Sequence, residues 1–113
     1  MNEDPDATLL VFTNLPDRES AMKLAQTLVE QRLAACVNVL GGCDSVYRWQ
    51  GAVEQADEVP VLIKTRAGRY GEVEAAIRQL HPYELPEVIA VPVAQGLPEY
   101  LAWVTEQTAV PTG

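Results

Sequence analysis

The chain has 113 residues, 48% of them apolar and 21% charged, which suits one globular domain and excludes the low-hydrophobicity profile of a disordered chain. Sixteen acidic against eight basic side chains give a formal charge of −8, a field that repels nucleic-acid phosphates and anionic lipid and leaves metal cations as natural counter-ions. The acidic start lacks a signal-peptide pattern and no apolar run reaches the roughly 20 residues of a membrane span, so a cytoplasmic location is expected, with neither membrane nor nucleic acid as partner.

In chain order, residues 1–7 are expected to form a disordered acidic lead, 8–107 the folded domain and 108–113 a loose tail. Thr8 to Thr13 is a short apolar run of β-formers, suited to a strand covered on both faces. Asn14-Leu15-Pro16-Asp17 supplies a turn, and the Asp17 carboxylate is placed to cap a helix. Ala21, Leu24, Ala25, Leu28 and Val29 then repeat at helical spacing, which predicts a helix to about Arg32.

Ala35 to Leu40 returns to strand chemistry, and Ser45 to Gln50 continues it after Gly41-Gly42, which reads as a bulge or bend inside one long strand. Gln50-Gly51 is a turn signal, and Ala52 to Thr65 runs back with Val59, Val61 and Ile63 on one face and Leu62 and Lys64 on the other. Arms of a dozen or more residues reach about 50 Å at about 3.3 Å per residue, against five or six residues in an average strand. Much of such a hairpin projects, and Tyr47 and Trp49 share a face near its tip, where a partner chain is the simplest cover. The alternative is that Gly41-Gly42 ends an ordinary strand and 43–65 forms a plain short hairpin.

Tyr70, Val73, Ile77 and Leu80 mark a second helix that Pro82 ends. Glu87 to Val93 is a further strand, with Pro92 suggesting an edge or exit position, and Pro98 opens a short terminal helix around Tyr100 to Val104. The order βαββαβ plus a C-terminal helix predicts an α+β, ferredoxin-like split βαβ fold, with two helices on one sheet face and the other face open to a partner.

Catalytic chemistry is hard to find. Gly41-Gly42 has no following Lys-Ser/Thr and fits no phosphate loop, and the single His81 has no nucleophile motif beside it, so an enzyme is not expected. Cys36 and Cys43 are too few for a disulfide scaffold; thiolate and imidazole suit Cu(I), Cu(II) or Zn(II), but seven residues apart on a strand the two thiols face opposite ways unless Gly41-Gly42 bulges, and buried inert cysteines are the plainer reading. The densest polar segment is His81-Pro82-Tyr83-Glu84-Leu85-Pro86-Glu87, where two prolines stiffen the backbone around an imidazole, a phenol and two carboxylates. It reads equally as a rigid helix-to-strand connection or a binding segment.

Together with that segment, Leu33-Ala34-Ala35-Cys36-Val37-Asn38, Ser45-Val46-Tyr47-Arg48-Trp49-Gln50-Gly51, Ile63-Lys64-Thr65 and Tyr100-Leu101-Ala102-Trp103 resemble the CutA divalent-cation tolerance family over about residues 8 to 107. The resemblance implies a PII-like homotrimer whose hairpins reach across to neighbouring subunits, and a link to copper and divalent-cation tolerance. It implies metal binding at Cys36 and His81, and clefts between subunits lined by Lys64, Tyr83 and Glu87, beside Glu84, Tyr47, Arg48 and Trp49. Some members with a copper site carry a Cys and a second His where this chain has Thr13 and Leu80. The function expected is a non-enzymatic homotrimer that needs no cofactor and binds Cu(II), Zn(II) or another divalent cation weakly through His81 and carboxylates such as Glu87. The alternative is a PII-like regulatory trimer that binds a small anionic ligand or a protein partner, with Lys64 and Arg48 as cationic contacts.

Overall fold

The computed structural model describes residues 4–110. Strand β1 (Thr8–Leu15) leads to helix α1 (Arg18–Glu30), where Asp17 accepts the Ser20 N–H at 2.8 Å as the expected N-cap. The helix ends two residues short of the expected Arg32 because Arg32 itself turns left-handed, with φ 59°. Leu33 N–H then reaches the Leu28 carbonyl at 2.9 Å and Arg32 N–H the Val29 carbonyl at 3.1 Å, the paired bonds of a Schellman closure.

Strands β2 (Cys36–Val39) and β3 (Cys43–Trp49) both pair antiparallel with β4 (Ala52–Arg66), on either side of the Gly41-Gly42 break. The long bent strand is therefore real, and the plain short hairpin is set aside. Gln50 (φ 50°) and Gly51 (φ 84°) form the left-handed two-residue turn that matches the twist of the arms. Extents of 46 × 29 × 24 Å show how far the hairpin carries the molecule along one axis.

A short 3-10 turn (Ala67–Arg69) and helix α2 (Tyr70–Leu80) follow, then β5 (Ile89–Pro92) and α3 (Pro98–Gln107). The sheet order is β2-β4-β1-β5, with β3 extending along β4, so Pro92 does sit on an edge strand. Val11 lies opposite Ile63 and Thr13 opposite Val61, and these alternate residues pack with Leu24 and Leu28 of α1 and Val73 and Ile77 of α2 into the main core. This is the ferredoxin-like α+β arrangement with both crossover helices on one face.

The opposite face is not left wholly open, as the element order suggested. Helix α3 returns to β4 and β1 there and buries Val104 completely. Arg66, which alternation turns to this face, clasps the end of α3: its Nε donates to Thr108 Oγ1 at 3.1 Å and its Nη2 to the Thr108 carbonyl at 3.0 Å. Thr108 is fully buried rather than the start of a loose tail, and only 111–113 lie outside the described residues at that end. Residues 4–7 of the expected disordered lead are likewise docked, through Gly68 N–H to the Pro5 carbonyl and Ala67 N–H to the Ala7 carbonyl, each 2.8 Å. Met1 to Glu3 lie outside the described residues.

One core position is polar without compensation: Thr13 is 1% exposed and its Oγ1 has no hydrogen-bond partner. A buried hydroxyl left unpaired costs about 1–3 kcal/mol, so Thr13→Val, which keeps the shape and removes the hydroxyl, should stabilise the fold by about 1 kcal/mol in denaturant titrations. Equal or lower stability in the variant would show that the hydroxyl is satisfied.

Candidate functional site

The histidine segment begins where α2 stops. His81 leaves helical geometry (φ −84°, ψ 133°) because Pro82 follows it, and its ring turns inward to 7% exposure. Nδ1 accepts the Tyr83 N–H at 3.1 Å, so Nε2 carries the proton and donates to the Asn14 carbonyl at 2.5 Å. Both nitrogens are thereby committed, and the ring pins the 82–86 segment to the end of β1. Tyr83 packs on it with ring centroids 4.7 Å apart.

From there the chain forms one wall of a groove of about 920 Å3 whose other wall is the hairpin. Cross-strand pairs share a face, so Tyr47 with Glu54, Trp49 with Ala52 and Cys43 with Glu58 all turn the same way. Tyr47, Trp49, Glu54 and Glu58 line the groove from the hairpin, and Tyr83, Glu84 and Glu87 from the facing segment. Asn14 joins the two sides of the histidine segment: its carbonyl takes the His81 proton while its Nδ2 donates to Glu87 Oε1 at 3.1 Å. Partial burial, then a hydrogen bond with the Glu58 carboxylate, push the Tyr83 phenol above its ordinary value, so it stays a neutral hydroxyl beside that acid. Every charged lining residue is a carboxylate.

The structure thus gathers Tyr47, Trp49, Tyr83, Glu84 and Glu87 in one place, with His81 buried behind Tyr83. It does not bring Cys36, Lys64 or Arg48 there. Cys36 lies directly opposite Lys64, in the row of Leu10, four residues up β1 from Asn14 and so about 13 Å away along the strand. Lys64 Nζ is engaged by Asn38 Oδ1. Cys36 sits beside Tyr100 of α3, whose phenol is pushed up by partial burial and then by the thiol. Arg48 alternates onto the other face of the hairpin, with Val46 and Val53.

Cys36, His81 and Glu87 therefore share no coordination sphere within one chain, and among the described residues no three His, Cys, Asp or Glu side chains are grouped to hold a metal ion. Sequence reasoning overlooked Asn14, Glu54 and Glu58. Glu54 and Glu58 were within reach of it, because a two-residue turn at Gln50-Gly51 fixes the register and sets them across from Tyr47 and Cys43.

The comparisons with known proteins give this arrangement its relatives. Residues 9–107 match the model of the family described as CutA1 divalent ion tolerance protein. The chain belongs to that family. It is 43% identical over 99 residues to the divalent-cation tolerance protein CutA of Thermus thermophilus, covering 88% of this chain and 96% of that one. It is 39% identical over 101 residues to the chloroplastic protein CutA of Arabidopsis thaliana, covering 89% of this chain but only 56% of the relative's length. Among solved structures, CutA from Xylella fastidiosa superposes with a TM-score of 0.89 at 46% identity, covering 91% of this chain and 99% of that one. No helix among the described residues is long and apolar enough to cross a membrane.

Proposed function

We propose that the chain is a non-enzymatic divalent-cation tolerance protein that acts as a cytoplasmic homotrimer and binds Cu(II), Zn(II) or a similar ion weakly through the carboxylates of the groove. The observation that carries this reading is the charge of the groove, where Glu54, Glu58, Glu84 and Glu87 line the walls with no Lys or Arg among them. Carboxylate oxygens alone hold such ions loosely compared with imidazole or thiolate sets, and His81 would have to give up Asn14 or Tyr83 to join. That donor set is why the binding is proposed to be weak. The regulatory alternative, an anionic ligand on Lys64 and Arg48, is poorly served by this groove, since neither cation lines it and like charge opposes the ligand.

Calorimetric titration of Cu(II) and Zn(II) into wild type, Glu58→Gln, Glu87→Gln and His81→Ala, in one buffer, tests the proposal. Each Gln variant is expected to lose several-fold in affinity, with a smaller effect at His81. Isotherms that are the same for wild type and both Gln variants would remove the groove from metal binding. A fractionation that places the protein outside the cytoplasm would overturn the proposed location.

A further inference from the structure

The hairpin is tied to the rest of the domain through a narrow neck. Strand β1 reaches only as far as Leu15 opposite Val59, and β3 pairs with β4 alone, so residues 43–58 form a two-stranded arm with no third strand beside it. At the neck the ladder slips. Val39 faces Val61 and Cys43 faces Glu58, which sets three residues, Leu40 to Gly42, against two, Val59 and Pro60. Among the described residues, Leu40 N–H to the Pro60 carbonyl at 3.0 Å is the one backbone hydrogen bond that 40–42 makes to β4, and Pro60 has no N–H to return.

The glycines of the neck answer to no steric demand. A Cβ on Gly41 would meet nothing within 4 Å, one on Gly42 would stand 3.7 Å from the Glu58 carbonyl, an ordinary contact, and neither residue has the left-handed φ found at Gly51. What glycine supplies at both is a soft backbone, in the stretch where the ladder does not hold the chain. Beyond the neck lies the groove of about 920 Å3, open between the arm and the segment after His81. Where its walls do meet, at Glu58 and Tyr83, they meet beside the neck and leave the tip of the arm unheld. From Glu58 to Ala52 the arm runs about 20 Å at about 3.3 Å per residue, so a bend of about 10° at the neck carries its tip by about 3–4 Å.

We propose that residues 43–58 bend as one arm about Leu40 to Gly42 and Val59-Pro60, opening and closing the groove. The bend goes beyond ion binding, because it belongs to the chain with or without an ion. In the homotrimer proposed above, a neighbour on the outer face would hold the arm, and the same bend would tilt the body of the subunit against it.

Distances between paired spin labels on the full chain test this, in a Cys36→Ser, Cys43→Ser background co-refolded with an excess of unlabelled chain, so that distances within one chain are read. One pair spans the neck, Ala52→Cys with Gln79→Cys on α2; another stays within the body, Gln26→Cys on α1 with Gln79→Cys, all at exposed positions. The distance distribution across the neck is expected to be at least about twice as wide as that within the body. Gly41→Val with Gly42→Val should narrow it to about the body width, since a side chain at either position restricts the backbone. Gly41→Ala with Gly42→Ala serves in the same way if the valines disturb folding. Equal widths across the neck and within the body would overturn the hinge, as would a width that neither glycine replacement narrows in a folded protein.

Discussion

Replacing Arg66 with Met should cost about 2–4 kcal/mol of stability and loosen both ends of the chain together. Arg66 is 9% exposed, and its guanidinium reaches Thr108 through two nitrogens and the Pro5 carbonyl at 3.3 Å through a third. Hydrogen bonds from charged groups contribute about 1.5–3 kcal/mol each, and Met fills the space while leaving the buried Thr108 acceptors unpaired. The ion pair with Asp6 adds little, because that carboxylate is 60% exposed and screened by solvent. Urea unfolding at fixed protein concentration measures the loss, and limited proteolysis should show earlier cleavage on both sides of 8–107. A loss below about 1 kcal/mol, with unchanged cleavage at both ends, would mean that the clasp is decorative.

The hairpin carries the second large effect. Its outer face exposes Val46 at 68% and Val53 at 65%, and an isolated two-stranded ribbon is marginal in water. Asp44 lies directly opposite Asp57 on that same face, and Asp57 holds the Asp44 carboxyl above its ordinary value. Homotrimer formation, as proposed above, would cover the valines. Light scattering of wild type at micromolar concentration should then give three times the 12.4 kDa chain mass, and Val46→Asp with Val53→Asp should drop it to the single-chain value. A wild type that is monomeric, or a double variant that stays trimeric, would show that these valines do not mediate assembly.

Most of the architecture was legible because it is written in local patterns. Apolar periodicity placed both crossover helices, Asp17 announced a helix start, Pro82 a helix end and Gln50-Gly51 a turn. Where local signals competed, boundaries moved. Arg32 ended α1 early by taking a left-handed conformation that glycine more often fills, and β1 ran on to Leu15 because β4 offered partners as far as Val59.

The candidate site divides along the same line. His81, Tyr83, Glu84 and Glu87 belong to one stiff segment, so their company is fixed by covalent spacing; Tyr47 and Trp49 share a face by strand alternation. The sequence by itself therefore determined the element order, the length of the hairpin and the rigid histidine segment. Only the tertiary structure decided that Cys36 and Lys64 lie rows away from that segment, that Arg48 turns outward, that Asn14 and Glu58 complete the groove, and that α3 closes over Arg66. The physical reason is that spacing along a chain sets faces and turns within a few residues, whereas the distance between residues far apart in sequence is set by strand register and by which face a returning helix covers, and those come from packing the whole chain at once.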